Sequence, residues 1–178
     1  IARTIADFME SQGGFLAYED LANHRSEWVQ PVSANYRGYD VWEIPPNGQG
    51  MVALMALNIF KNLDEPKWQN AETYHEQIES MKLAFTDGKE FITEPEAMPV
   101  SVEHLLSEEY AKQRAGTIGE EAAQPVPYEL PKGGTVYLSA ADEEGNMISY
   151  IQSNYMGFGS GVVIPGTGIG LQNRGADF

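Results

Sequence analysis

The sequence predicts an α+β fold in which helical segments come first and strands last. Three observations predict it. Apolar residues recur at helical spacing through the first two thirds of the chain, for example Tyr74, Ile78, Met81 and Phe85 at i, i+4, i+7 and i+11. From Thr135 onward β-type runs dominate, broken by turn residues such as Asp142-Glu143-Glu144-Gly145-Asn146 and Pro165-Gly166-Thr167-Gly168. Helices and strands are segregated and no internal repeat is visible, which favours a layered α+β arrangement over alternating βαβ units.

Each element follows from local chemistry. Ile1, Ile5, Phe8 and Met9 share a helical face, and Gly13-Gly14 supplies a left-handed stop. Glu19-Asp20-Leu21 opens a short turn. Pro31 to Asn35 and Tyr39 to Ile44 flank Arg37-Gly38 as a hairpin, after which Pro45-Pro46-Asn47-Gly48-Gln49-Gly50 ends regular structure. Met51 to Phe60 is apolar almost all round and reads as a buried helix. A second helix covers Asn70 to Phe85. A third starts at an N-cap, Ser107, with Glu108 and Glu109 at the positive end of its dipole and Tyr110 facing inward, and runs to Arg114. Residues 115–134 form a surface linker rich in Gly, Pro and Glu. Strands follow at Thr135 to Ala141, Met147 to Ser153, Val162 to Ile164 and Ile169 to Leu171.

Composition removes several classes of function. With 26 acidic and 11 basic residues the formal charge is −15, so a nucleic-acid partner would be repelled. The sequence has no cysteine, which excludes disulfides and thiol nucleophiles and leaves localisation open between the cytoplasm and a secreted or periplasmic space. No apolar run approaches the ~20 residues of a membrane span. The start, Ile1-Ala2-Arg3-Thr4, has neither an initiator Met nor a signal-peptide layout, so the chain reads as truncated there. His24, His75 and His104 have no metal-ligand spacing, and Gly157, Gly159 and Gly161 lack the ending of a phosphate loop. No metal and no cofactor are expected.

The stretch from Gly133 to Ser153 carries the chemistry. A three-residue hairpin loop places its last residue in the left-handed region, which Gly145 suits, and sets Asp142 opposite Asn146. The register then pairs Ala141 with Met147, Ser139 with Ser149, Tyr137 with Ile151 and Thr135 with Ser153. Facing side chains in such a pair have Cβ atoms ~4.5–5.5 Å apart, close enough for one hydroxyl to orient another. A Thr-Ser pair can also be a purely structural cross-strand contact. Thr135, however, follows two glycines and an acidic linker and opens a strand, which suits cleavage of the Gly134-Thr135 bond. A threonine hydroxyl is a weak nucleophile until a base takes its proton. Self-cleavage would create that base as the α-amine, which ordinarily titrates at ~7.7–8.0.

At this point the residues resemble the gamma-glutamyltranspeptidase family, and more closely its glutathione-hydrolase-like branch. The likeness runs through Gly-Gly-Thr-Val-Tyr-Leu-Ser-Ala-Ala-Asp-Glu-Glu-Gly-Asn, Phe158-Gly159-Ser160-Gly161 and Leu171-Gln172-Asn173-Arg174-Gly175. Upstream it includes Gly14-Phe15-Leu16, Asn35-Tyr36-Arg37-Gly38-Tyr39 and Pro45-Pro46-Asn47-Gly48-Gln49-Gly50, so it covers essentially the whole chain. The resemblance implies part of an αββα sandwich of the N-terminal-nucleophile hydrolase type. It implies residues 1–134 as the C-terminal part of a large subunit and 135–178 as the N-terminal part of a small one, each the other's partner after self-cleavage.

The implied activity is cleavage of a small-molecule γ-glutamyl amide, with water or an amine as acceptor. Thr135 would be the nucleophile, Ser153 its supporting hydroxyl, and Asp177 the acceptor of the substrate α-ammonium. Tyr155 stands where the family usually has Asn and Arg174 where it has Gln. Arg174 therefore admits two readings: a fork for an anionic, oxamate-like or dicarboxylic amide, or an ion-pair partner of Asp177. Val136 and Tyr137 also replace a usual Thr and His. The family's oxyanion-hole and carboxylate-binding elements would lie beyond Phe178 and its substrate-binding Arg before Ile1, so this segment alone is expected to be inactive. A homologue that binds without cleaving itself is a further alternative.

Overall fold

The computed structural model describes residues 1–63, 67–123 and 133–177. They form two compact units, one joining residues 1–27 to the C-terminal segment and the other starting at Trp28. Mixed helix and antiparallel sheet bear out an α+β chain, with three two-stranded sheets among the described residues.

The first unit opens with α1 (Ala2–Ser11). Its end is a Schellman motif: Gly13 has φ 71°, its N–H donates to Glu10 O at 3.1 Å, and the Gly14 N–H donates to Met9 O at 2.8 Å. The segment expected to be a short turn is instead a helix, α2 (Tyr18–Asn23). Its first turn gains from an Asp20 carboxylate that accepts the Ala17 N–H at 2.7 Å. The Arg3 guanidinium lies 4.5 Å from the Tyr18 ring centroid and links the two helices. The same unit holds the hairpin of β3 (Gly133–Ala141) and β4 (Met147–Met156), the short pair β5 (Val163–Ile164) and β6 (Ile169–Gly170), and a 3-10 turn at Arg174–Asp177. α1 packs on β5, where Ile5 and Ile164 are buried.

In the second unit the expected hairpin pairs β1 (Val32–Tyr36) with β2 (Tyr39–Glu43). It docks on α3 (Gly50–Phe60) through Tyr36, whose ring stacks 6.2 Å from that of Phe60. α3 is buried on nearly every side, as its composition requires, with Met51, Leu54, Met55 and Ile59 almost wholly enclosed.

The helix after it, α4 (Ala71–Phe91), runs six residues past the expected end at Phe85 and turns an unexpected face inward. Tyr74, Ile78 and Phe85 are 50%, 58% and 42% exposed, while Ala84 is completely buried and Thr73, Ser80, Asp87 and Gly88 are buried with it. Close approach explains the inversion. A Cβ on Gly88 would meet Val52 Cγ2 at 2.6 Å, so only small side chains fit where α4 crosses α3.

The buried carboxylates on that face are paired. Asp87 accepts two bonds from Arg114, from Nε at 2.8 Å and from a terminal nitrogen at 2.7 Å. Burial, with the adjacent Asp87 carboxylate, pushes the Tyr110 hydroxyl up to about 12. Arg114 and Tyr110 belong to α6 (Glu108–Ala115), which starts at the expected N-cap: Ser107 Oγ accepts the Tyr110 N–H at 3.2 Å. Between α4 and α6 lie a 3-10 turn (Pro95–Ala97) and α5 (Val102–Leu105), neither of which the sequence announced.

The chain after α6 is held against α4. The Lys82 ammonium donates to Glu79 at 2.7 Å and to Ala123 O at 2.7 Å, and Glu79 accepts the Ala123 N–H at 3.3 Å. His75 Nε2 lies 2.7 Å from Gly119 O. The expected surface linker is thus fixed over its first part; residues 124–132 lie outside the described residues, and Gly133 and Gly134, expected to end it, instead open β3. Burial pushes the Glu79 carboxyl up, but the bonds from Lys82 and Ala123 outweigh it and hold the group below the ordinary carboxylate range.

Two outcomes follow for the full-length protein. Gly88→Ala is expected to destabilise it in urea by about 1–3 kcal/mol through overpacking, despite the ~1 kcal/mol that alanine gains in helix propensity; Val52→Ala in the same background should recover part of the loss. Because the Glu79 carboxyl is depressed in the folded state, its contribution is fully present above the unfolded value of ~4.3 and is lost as pH falls through the lower folded value. Thermal melts of Glu79→Gln should therefore lose less stability on acidification than those of the wild type.

Candidate active site

The site is built on the β3–β4 hairpin, and its turn behaves as the loop chemistry requires. Gly145 has φ 85°, the Gly145 N–H donates to Asp142 O at 3.2 Å, and the Asp142 N–H donates to Asn146 O at 3.0 Å. Asn146 also donates to both carboxylate oxygens of Asp142, at 2.8 Å each, and those bonds lower the Asp142 pKa. The resulting register pairs Ala141 with Met147, Ser139 with Ser149, Tyr137 with Ile151 and Thr135 with Ser153, as expected.

Beyond Thr135 the register shifts. Gly133 pairs with Met156, so Asn154 and Tyr155 on β4 occupy the interval opposite the single residue Gly134 on β3. This is a β-bulge, and Tyr155 takes the left-handed conformation at φ 77°, which a bulky residue rarely adopts. The Ser153 hydroxyl oxygen accepts the Tyr155 N–H at 2.9 Å and locks the bulge. A hydroxyl oxygen that accepts one bond keeps its own proton as a donor. The periodicity of the strand carries no sign of this irregularity.

A second set of bonds ties the bulged end of β4 to the last residues. The Met156 N–H donates to Asn173 Oδ1 at 3.1 Å and the Asn173 N–H donates to Asn154 O at 3.3 Å. Ser160 donates to Leu171 O from both its N–H and its hydroxyl, at 2.9 Å each. Gly159 permits this approach: it has φ 69°, and a Cβ there would meet Leu171 O at 2.4 Å. The Arg174 N–H donates to Gln172 Oε1.

Arg174 is thereby brought to Tyr155, its guanidinium carbon 5.8 Å from the ring centroid. Tyr155 and Arg174, two of the positions expected to depart from the resembled pattern, thus meet each other, a contact that sequence reasoning missed. Thr135 is described through its backbone in β3 and Asp177 through its backbone in the 3-10 turn. The roles expected of their side chains, including an Arg174–Asp177 ion pair, lie outside the described residues.

A chain of this architecture has solved counterparts. A cephalosporin acylase from Bacillus halodurans superposes with a TM-score of 0.84 at 59% identity over 99% of this chain and 32% of its own. A gamma-glutamyltranspeptidase from Helicobacter pylori does so with 0.62 at 28% identity, over 70% of this chain and 36% of its own. The family model described as gamma-glutamyltranspeptidase matches residues 1–178. The chain belongs to that family. Among curated relatives, a glutathione hydrolase-like proenzyme of Bacillus subtilis is 41% identical over 100% of this chain and 34% of its own length. An oxamate amidohydrolase proenzyme of Klebsiella pneumoniae is 35% identical, again over 100% of this chain and 34% of its own. The chain therefore spans about a third of these relatives.

Gly159→Ala should show whether the 171–173 segment depends on this close approach. Left-handed strain of roughly 1–2 kcal/mol and the clash with Leu171 O act in the same direction. The expected result in the full-length protein is faster hydrogen exchange at the Ser160 amide, which the Leu171 carbonyl protects in the wild type.

Proposed function

We propose that the whole protein is a self-processing amidase in which Thr135 is first the agent of cleavage and then the nucleophile towards a γ-glutamyl amide such as glutathione. The observation that carries this reading is the hairpin register: Ser153 stands opposite Thr135, and the bulge falls opposite Gly134, at the bond to be cut. In the precursor the Thr135 hydroxyl attacks the Gly134 carbonyl and the C–N bond between them breaks. The acyl group passes to the hydroxyl as an ester, and the nitrogen becomes a free α-amine. Water then hydrolyses the ester, leaving a carboxylate on Gly134. The subunits so produced are residues up to 134 and residues from 135 onward, within an αββα sandwich.

In the mature protein the α-amine takes the proton of the Thr135 hydroxyl as that oxygen attacks the substrate carbonyl. The proton passes to the leaving amine, and water or an amino compound resolves the acyl-enzyme. Ser153 supports the nucleophile from across the hairpin, and Asp177 receives the substrate ammonium. Glutathione hydrolase names among the relatives favour the γ-glutamyl group. A second reading, hydrolysis of a small acidic amide, is favoured by the Arg174 guanidinium at the bulge and by the oxamate amidohydrolase relative.

Intact mass of the full-length protein tests the first step. Two pieces with Thr135 as a new N-terminus are expected, and Thr135→Ala should stay whole. A wild-type chain that persists uncut would overturn self-processing and leave a non-cleaving homologue. For the cleaved protein, γ-glutamyl anilide hydrolysis should rise with pH as the α-amine deprotonates around ~7.7–8.0. Activity confined to acidic amides would transfer the assignment to the second reading.

A further inference from the structure

The loop that leads from β2 into α3 carries a reactive pair that the candidate site does not use. Asn47 is the only asparagine of the chain that precedes a glycine, and its side chain is exposed. Without a Cβ, Gly48 leaves its backbone nitrogen open to close approach by the preceding side chain. Such an asparagine reacts with its own backbone. The Gly48 nitrogen attacks Asn47 Cγ and gives up its proton, the Cγ–Nδ2 bond breaks, and ammonia leaves. Water then opens the succinimide ring at either carbonyl, which leaves aspartate or isoaspartate. In sum, one amide and one water become one carboxylic acid and one ammonia.

The surroundings of Asn47 oppose that reaction. Its Nδ2 donates to Glu94 Oε1 at 2.6 Å, a charge-assisted bond between residues 47 apart in sequence. Glu94 is itself placed by the 3-10 turn Pro95–Ala97, because its carbonyl accepts the Ala97 N–H at 2.8 Å. Attack brings Cγ to the Gly48 nitrogen and makes Nδ2 the leaving group, so the amide must first quit the carboxylate that holds it.

We propose that Asn47-Gly48 is a self-modifying site and that Glu94 is the latch that holds it back. The modified loop cannot relatch. Residue 47 loses its donor and presents a carboxylate to the Glu94 carboxylate, which turns an attraction into a like-charge contact. The site is independent of any nucleophile at Thr135, and no enzyme or co-reactant other than water is required.

The test incubates the full-length wild type, Glu94→Ala, Glu94→Gln and Gly48→Ala at mildly alkaline pH and follows the peptide that contains Asn47 by mass and by isoaspartate content. Glu94 is exposed, so neither of its substitutions disturbs a core. Alanine fits at residue 48: its φ lies outside the left-handed region, and beyond the chain neighbours a Cβ there meets only Ile44 Cδ1 at 3.9 Å. Wild type should slowly gain one mass unit at Asn47, with isoaspartate in the product. Glu94→Ala should react about 3- to 10-fold faster, the weight of one hydrogen bond in an exposed setting. Glu94→Gln, which keeps a neutral acceptor, should fall between the two. Gly48→Ala should be slower than wild type, because its Cβ crowds the attacking nitrogen.

A Glu94→Ala protein no faster than wild type, or a Glu94→Gln protein slower than it, would overturn the latch. An Asn47 that keeps its mass even in Glu94→Ala, or a gain that Gly48→Ala does not slow, would overturn the self-modifying site.

Discussion

One left-handed glycine governs the candidate site. Gly145 lets the Asp142–Asn146 loop close with three residues, and that closure fixes which β4 side chain stands opposite Thr135. Side chains alternate between the faces of a strand, so a slip of one residue would put Gln152 or Asn154 in the place of Ser153 and turn the Ser153 hydroxyl away. Asp142 and Asn146 reinforce the loop with a backbone bond and two side-chain bonds. The chemistry proposed at Thr135 therefore depends on a turn at the far end of the hairpin.

That dependence explains why the hairpin was legible and the bulge was not. Loop length and a glycine at its last position determine register through local sterics, and local sterics are written in the sequence. The register predicted from Gly145 holds at each pairing from Ala141 back to Thr135. The bulge is held within the hairpin by the Tyr155 N–H bond to Ser153 and from outside it by Asn173, whose Oδ1 accepts the Met156 N–H and whose N–H donates to Asn154 O. The Asn173 bonds join residues well separated along the chain, a relation that no periodicity reveals. The Ser107 N-cap was likewise legible because it is local, whereas the meeting of Tyr155 with Arg174 was not.

α4 shows the same limit from the other side. Its apolar spacing identified a helix, yet the stripe Tyr74, Ile78 and Phe85 remains exposed while Ala84, Asp87 and Gly88 turn inward. Periodicity reports where apolar residues lie on a helix. It does not report how near the neighbouring backbone comes, and at Gly88 the approach of Val52 leaves no room for a larger side chain. Once that spacing is fixed, buried Asp87 and Glu79 are kept by Arg114 and Lys82, because a carboxylate without a partner there would be costly.

The proposed cut and the packing of the chain fall in different places, and the difference has a physical meaning. Residues 1–27 share a compact unit with the strands that follow Thr135, and α1 lies on β5 with Ile5 and Ile164 buried. Chain from both sides of the Gly134-Thr135 bond thus contributes to one unit. The proposed cut would remove a covalent link, whereas the burial of Ile5 and Ile164 between α1 and β5 does not run through that bond. Under the proposed mechanism such shared burial would keep the two pieces together once the amine is freed, whereas hydrolysis of a link between separately folded halves would let them part.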